Sequence, residues 1–196
     1  MKGILSGILI ALGGYGYLVL GGIPGACIFA FGLISILYLE IPLYTGKAGV
    51  FSTERSQWKK SLGEVFLILL QNIVGCAIVA LLFRFTANDD TLQRATNLIL
   101  ARLDLGIGTS ILKAIGCGII IDICVYLKKE KQTIMPVLFG VPLFILCGFI
   151  HSVADAFYLL CFPDVWTWQI LLYYPAIVLG NFIGCNIRRI CFITCK

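Results

Sequence analysis

The sequence predicts an all-α integral membrane protein with six transmembrane helices, arranged as two inverted three-helix repeats. Hydrophobic residues make up 60% of its 196 residues and charged residues only 13%, whereas soluble domains are about half apolar and a quarter charged. Two further observations are the collection of Lys and Arg in alternate loops and a Pro/Gly-interrupted segment in the middle of each half. Residues 1–196 are therefore expected to form one transmembrane channel or transporter domain. A chain of this length leaves no room for an additional soluble enzyme domain.

The first two segments come from residues 3–39, which carry no charged side chain. A bilayer core needs only about 20 helical residues, and the Gly/Pro-rich run at 21–25 is typical of a turn. Segment 1 is predicted at residues 3–20. It resembles a signal peptide, but no small-residue cleavage pattern stands out and a second apolar segment follows at once, so we expect a retained helix. Segment 2 begins near Pro24 and is interrupted at residues 40–49, and such a break is tolerated only where it is buried in protein or lines a cavity.

Polar loops separate the remaining segments. Residues 86–108 form the longest of these loops, and residues 98–105 are predicted to form a short interfacial helix within it. The predicted bounds are residues 61–85 for segment 3, 109–127 for segment 4, Thr133 to a turn at 161–164 for segment 5, and 165–187 for segment 6.

Basic residues distinguish the two sides of the membrane. The predicted loops on one side hold only Arg84, Arg94 and Arg102. The other side receives Lys2, Lys47, Arg55, Lys59, Lys60, Lys128, Lys129, Lys131, Arg188, Arg189 and Lys196. By the positive-inside rule, both termini are expected in the cytoplasm.

The two halves are predicted to mirror each other. Segments 1–3 and segments 4–6 each have an interrupted span in the middle, at residues 40–49 and 148–155. Three spans are an odd number, so the second half must run inverted relative to the first. Paired broken helices point to a site near the middle of the membrane.

His151 is the only histidine in the chain, and it lies deep in the apolar stretch at residues 144–158. An ionisable side chain at membrane depth is costly and is functional by default. The alternative is a ring that merely ties one helix to a backbone carbonyl. The nine cysteines show no metal-site or disulfide spacing and are interpreted as core residues. We expect no cofactor, no metal and no enzymatic activity, because no nucleophile–base pair or cofactor fingerprint appears.

Four sequence motifs occur in a fixed order along the chain. Residues 43–46 read LYTG, residues 71–82 after Trp58 read QNIVGCAIVALL, residues 148–155 read GFIHSVAD, and residues 180–185 read GNFIGC. The formate/nitrite transporter family typically reads LFTG, a tryptophan followed by GNLVGALL, GFEHSVAN, and GN.IGG at these places. The chain therefore resembles that family from segment 2 onward.

The resemblance implies an aquaporin-like protomer within a homopentamer, each protomer having its own pore, in the bilayer of a bacterial inner membrane. It implies transport of small monovalent anions such as formate, nitrite, hydrosulfide or acetate, often coupled to protons. The residues carried over as the substrate pathway are His151, Thr45 and Asn181. Those carried over as apolar constrictions are Phe29, Leu33, Tyr44, Val125 and Phe144.

The chain also departs from the family pattern. The family's Glu before the histidine is Ile150, and two of its Asn residues are Asp155 and Asp122. The lysine ahead of segment 4 has no match, because Gly106 falls there and Arg102 lies about one helical turn earlier. Tyr44 replaces a Phe. The pathway charges are thus Asp155, Asp122 and Arg102, and the two aspartates together with the missing lysine are expected to make the route less favourable for anions.

The expected mechanism is that an anion is neutralised or hydrogen-bonded at His151, which acts as proton donor, and crosses the apolar constriction as the weak acid. Thr45 and Asn181 would hold it, although each has an alternative role within helix packing. Asp155 is expected to form a salt bridge, cap a half-helix or sit protonated. Two other classes stay open: a cation or ammonium pore, favoured by Asp122 and Asp155, and a non-transporting membrane assembly protein.

Overall fold

The computed structural model describes residues 1–51, 58–162 and 167–194, and these residues form helices with short connections. The helices are α1 (Lys2–Leu20), α2 (Gly22–Tyr38), α3 (Tyr44–Lys47), α4 (Trp58–Thr86), α5 (Asp89–Leu103), α6 (Ile107–Lys131), α7 (Met135–Leu146), α8 (Ser152–Cys161) and α9 (Gln169–Thr194). The loop residue Arg55, the terminal Lys196 and the turn predicted at Pro163 and Asp164 lie outside the described residues.

In the described part of the chain, four helices, α1, α4, α6 and α9, are long and apolar enough to cross a membrane. The shorter apolar helices α2, α7 and α8 belong to the two interrupted segments. Both predicted breaks are present: α2 ends at Tyr38 before α3 begins at Tyr44, and α7 ends at Leu146 before α8 begins at Ser152. The predicted class, an all-α membrane protein with a broken helix in the middle of each half, is confirmed. The count of six crossings stays a prediction.

The two halves use the same packing pattern. Helix α1 packs against α2 and α4, and α6 packs in the same way against α7 and α9. The half-helix after each break crosses to the other half, since α8 packs against α4 and α1 while α3 contacts α6 and α9. Glycines allow the tightest approaches: a Cβ at Gly7 would collide with the backbone carbonyl of Asn72, and a Cβ at Gly118 with that of Asn181.

The outer surface is strongly apolar. Large hydrophobic side chains such as Phe139, Phe85 and Leu171 are more than 70% exposed. A soluble monomer rarely exposes apolar area on this scale, whereas lipid accepts it. The surface agrees with an integral membrane protein.

The interfacial helix differs from its prediction. Residues 98–105 were expected to be helical, but α5 spans Asp89–Leu103. The Asn88 side chain caps its start by accepting from the Thr91 backbone N–H at 3.0 Å and from the Thr91 hydroxyl at 2.7 Å. Asp89 and Asp90 in the first turn complement the helix dipole. This start signal was overlooked because the polar run was interpreted as loop.

Candidate functional site

The two breaks share one backbone geometry. The N-cap residues of the half-helices α3 and α8 are Leu43 and His151. In each break a residue with positive φ lies three positions ahead of the N-cap: Glu40 (φ 52°) ahead of Leu43, and Gly148 (φ 67°) ahead of His151. Each break thus turns the chain into a new half-helix. The equivalent positions carry Leu43 in one half and His151 in the other.

Asn181 of α9 clamps the start of α8 through hydrogen bonds to the backbone. Its Oδ1 accepts from the Ser152 backbone N–H at 2.8 Å, and its Nδ2 donates to the carbonyls of Ala114 and Ile150, each at 2.8 Å. The side chain is fully buried. Both amide hydrogens are therefore engaged with backbone, so Asn181 positions the half-helix that begins beside His151.

Asn72 of α4 makes the same clamp in the first half. Its Oδ1 accepts from the Tyr44 backbone N–H at 2.9 Å, and its Nδ2 donates to the carbonyls of Gly3 at 2.7 Å and Pro42 at 3.4 Å. Sequence reasoning did not select Asn72 as a site residue. The signal that finds it is the repeated pattern N-x-x-G-C, at residues 72–76 and 181–185.

The cysteines of that repeat also occupy equivalent places. Cys76 Sγ lies 3.3 Å from the Val153 carbonyl, and Cys185 Sγ lies 3.3 Å from the Thr45 carbonyl. Both thiols are buried. Each thiol therefore ties the second residue of a half-helix to a long helix, which agrees with the predicted structural role of the cysteines.

His151 and Thr45 meet where the two half-helices face each other. The His151 Nε2 lies 3.0 Å from the Thr45 Oγ1, and the His151 Nδ1 accepts from the Ala154 backbone N–H at 3.2 Å. A neutral imidazole carries one N–H. Because Nδ1 accepts, the ring proton is on Nε2 and points at Thr45. Both side chains are buried, so this donor is shielded from the aqueous surface.

A vestibule of about 390 Å³ lies on one side of this pair, between α2, α3 and the end of α6. Its charged lining residues are Glu40, Lys47, Lys128 and Lys129. Three lysines against one glutamate make it a basic entrance. The apolar end of its lining includes Leu33 and Val125.

A small cavity of about 20 Å³ lies on the other side of His151. Its polar lining consists of His151, Arg102, Asp155, Tyr17 and Tyr158. Between this cavity and the vestibule the lining is apolar, and the space is closed in this structure. The closed part is lined by Ile10, Phe29, Leu33, Ile121, Val141 and Phe144 together with His151. Shared residues thus join the three spaces in one line.

Four of the residues predicted as constrictions lie along this line, and one does not. Phe29 and Phe144 pack edge to face with 5.9 Å between ring centroids beside His151, Leu33 separates them from the vestibule, and Val125 lines the vestibule itself. Tyr44 lines none of the three spaces, and its hydroxyl donates to the Val178 carbonyl at 3.0 Å.

The two aspartates of the predicted pathway are both paired with arginine. Arg102 Nη1 lies 2.7 Å from Asp155 Oδ1, and Arg188 pairs with Asp122. Asp155 therefore takes the salt-bridge role among the three that the sequence left open. Lys113, which cannot reach Asp122 along α6, instead donates to the Gly148 carbonyl at 3.3 Å. The aspartates are thus compensated rather than free to attract cations.

Comparisons with known proteins give a matching family model, a sequence relative and solved structures of similar fold. The family model described as formate/nitrite transporter matches residues 1–193. The "Uncharacterized transporter YrhG" of Bacillus subtilis (strain 168) is 28% identical over 212 aligned positions, covering 93% of this chain and 78% of the relative. A solved structure titled "Pentameric formate channel with formate bound" superposes with a TM-score of 0.86 at 17% identity, covering 100% of this chain and 96% of the other. A second, titled "FNT family ion channel", gives 0.84 at 17% identity, covering 100% and 88%.

Proposed function

The chain belongs to the formate/nitrite transporter family, and we propose that it carries small monovalent anions of weak acids along the line of spaces beside His151. As a member of that family it is a transmembrane anion channel or transporter rather than an enzyme. The proposed substrates are formate, nitrite, hydrosulfide or an acetate-like anion. The observation that carries the proposal is the buried His151–Thr45 hydrogen bond at an apolar constriction between two polar spaces.

The constriction sets the chemical problem. A lone anion in a low-dielectric space costs several kcal/mol or more, about the cost of any unpaired buried charge. Phe29, Leu33 and Phe144 offer no hydrogen bond to offset that cost. A weak-acid anion lowers the cost by accepting a proton, which a permanently charged anion cannot do. The apolar lining therefore favours substrates that protonate readily.

His151 is the proposed proton donor. In the observed geometry the transferable proton is on Nε2, next to Thr45 Oγ1. Its transfer to an anion breaks the Nε2–H bond and forms an O–H or S–H bond on the substrate. The ring stays neutral only if Nδ1 takes up a proton from the aqueous side, which requires release of the Ala154 N–H. The Thr45 hydroxyl supplies a neutral hydrogen bond during the exchange.

The vestibule is proposed to collect the anion first. Lys47, Lys128 and Lys129 give its lining a positive balance over Glu40, and a cleft lined by one sign of charge raises the local concentration of the opposite ion. In the proposed orientation, with both termini in the cytoplasm, this vestibule opens on the cytoplasmic side.

The assembly is proposed by analogy with the solved relatives. One of them is titled a pentameric formate channel, and the strongly apolar outer surface of this chain suits both lipid and neighbouring subunits. We propose a homopentamer with one pore in each protomer, six crossings per protomer, residues 1–196 acting as a single transport domain, and a location in a bacterial inner membrane.

Flux measurements in proteoliposomes test the proposal. Formate, nitrite, hydrosulfide and ammonium are offered to the reconstituted protein at several pH values, with His151→Gln alongside. We expect anion flux that rises as the outside becomes more acidic, because more substrate is then neutralised. Glutamine donates a hydrogen bond but no proton, so His151→Gln should lose this flux. Ammonium flux without anion flux would contradict the proposed substrate, and unchanged formate flux in His151→Gln would contradict the proton-donor role.

A further inference from the structure

The small cavity beyond His151 has an ion pair in its wall. Arg102 Nη1 lies 2.7 Å from Asp155 Oδ1, and the two side chains are 19% and 2% exposed. Arg102 comes from the last turn of α5 and Asp155 from the first turn of α8. The pair therefore joins the interfacial helix to the half-helix that His151 precedes.

The pair is directly connected to the central site. The Asp155 backbone N–H donates to the His151 carbonyl at 2.9 Å, one turn along the chain. Arg102, Asp155 and His151 line the same cavity. An anion that approaches or leaves His151 on this side therefore passes both charges.

The geometry fixes the carboxylate more firmly than the guanidinium. The Tyr173 hydroxyl donates to Asp155 Oδ2 while Arg102 donates to Oδ1, so each carboxylate oxygen has a partner. A guanidinium has five N–H donors in a planar fork. Arg102 can therefore keep its bond to Asp155 and still present donors to an anion in the cavity.

We propose that Arg102 and Asp155 form the anion filter of this narrow mouth. Arg102 binds the permeating anion, and Asp155 weakens that binding so that the anion is released toward His151 or the outside. A pore site must bind its ion well enough to admit it and weakly enough to let it leave. The inference rests on the proposed function, because it assigns anion recognition at the same pore to two further residues.

Charge-changing variants distinguish an anion filter from a structural brace, meaning an ion pair that only holds α5 against α8. The measured quantity is the half-saturating formate concentration for entry from the side of this cavity, in wild type, Asp155→Asn, Arg102→Gln and the double variant. Asparagine keeps an oxygen for the Tyr173 hydroxyl but removes the negative charge. We expect the half-saturating concentration to fall roughly fivefold in Asp155→Asn and to rise roughly fivefold in Arg102→Gln. The reason is that Asp155 repels and Arg102 attracts an anion a few Å away. The double variant should lie between the two single variants.

Arg94→Gln is the matched control. Arg94 is on the same helix but donates to the carbonyls of Leu18 and Val19 at the end of α1, and it lines neither cavity. Its removal should leave the half-saturating concentration unchanged. If Arg102→Gln fails to fold, Asp155→Asn alone decides, because a loosened brace would weaken formate binding rather than strengthen it.

The outcomes also separate this inference from the proposed function. Both single variants shifting formate affinity in the same direction would overturn the filter while leaving formate transport intact. A wild-type protein that carries ammonium instead of formate would overturn the proposed function and the filter together. Absence of flux for either ion would overturn both.

Discussion

The two halves of the molecule build the same break and then place different side chains in it. Asn72 and Asn181 clamp the two half-helices through equivalent backbone groups. At the residue before each half-helix, however, the first half has Leu43 and the second has His151. Two residues later the first half has Thr45 and the second Val153, so the polar partners cross over and meet. The features that the halves share hold the backbone, and the residues that differ between them are the ones proposed to carry the chemistry.

The largest expected effect comes from removing either clamp. Asn72→Leu and Asn181→Leu each leave a buried backbone N–H and two carbonyls without their partner, which costs about 3 kcal/mol or more. We expect both variants to lose most of their folded protein, by yield and thermal melting in detergent. Asn97→Leu on the exposed face of α5 is the control and should behave as wild type. If only one clamp variant were unstable, the halves would not share a structural role.

The hydroxyl of Thr45 is the next test, because Val153 occupies its equivalent position. Thr45→Val keeps the side-chain shape and removes the hydrogen bond to His151. We expect the formate flux to fall by about fivefold to tenfold, the loss of one buried hydrogen bond, with the melting temperature little changed. Thr45→Ser restores the hydroxyl and should recover most of the flux. Equal flux in the serine and valine variants would remove Thr45 from the mechanism.

The buried thiols sharpen the comparison at smaller scale. Cys76→Ala and Cys185→Ala each remove a weak bond to a half-helix carbonyl and leave a small gap, so each should cost about 1 kcal/mol of stability. The losses should be similar in the two halves, as measured by unfolding in the same detergent. A loss confined to Cys185→Ala would show that the thiol beside Thr45 does more than pack.

The smallest expected effect concerns the positive-φ residues. Gly148 adopts φ 67° at no steric cost, whereas Glu40 adopts φ 52° with a side chain. Glu40→Gly should therefore raise stability by about 0.5 kcal/mol, because the entropy lost by glycine on folding offsets part of the relieved strain, and Gly148→Ala should lower it by about as much. Melting temperatures of the two variants check this, and a destabilising Glu40→Gly would indicate that the Glu40 side chain contributes to the vestibule.

Sequence patterns predicted the features that depend on residues close together in the chain. Pro and Gly marked both breaks, charge-free runs marked the long helices, and the single histidine marked the central position. Thr45 was selected through the family resemblance and does contact His151. The length of α5 was underestimated because its Asn88 cap was overlooked.

The partners that were not predicted come from distant parts of the chain. Neither Arg102 nor Tyr173 is near Asp155 in sequence, yet both bond its carboxylate. Asp122 pairs with Arg188, which had been assigned only to the cytoplasmic end of segment 6. Such pairs depend on how α5, α8 and α9 pack, and no local spacing encodes that packing. The repeated N-x-x-G-C was, after the Asn88 cap, a second overlooked local signal, and it would have identified Asn72.

The most direct test of the account is the rate of formate entry in His151→Leu, which gives the second break the residue of the first. Leu43→Met, a change of similar volume at the equivalent position, is measured beside it, with all rates normalised to folded protein. We predict that His151→Leu keeps its fold but loses at least about tenfold in rate and its acceleration by acid, the effect expected when a proton donor is removed, while Leu43→Met stays close to wild type. A His151→Leu protein that carries formate at the wild-type rate, with the wild-type dependence on pH, would contradict the central claim. That claim is that transport depends on His151, the residue by which the second break differs from the first.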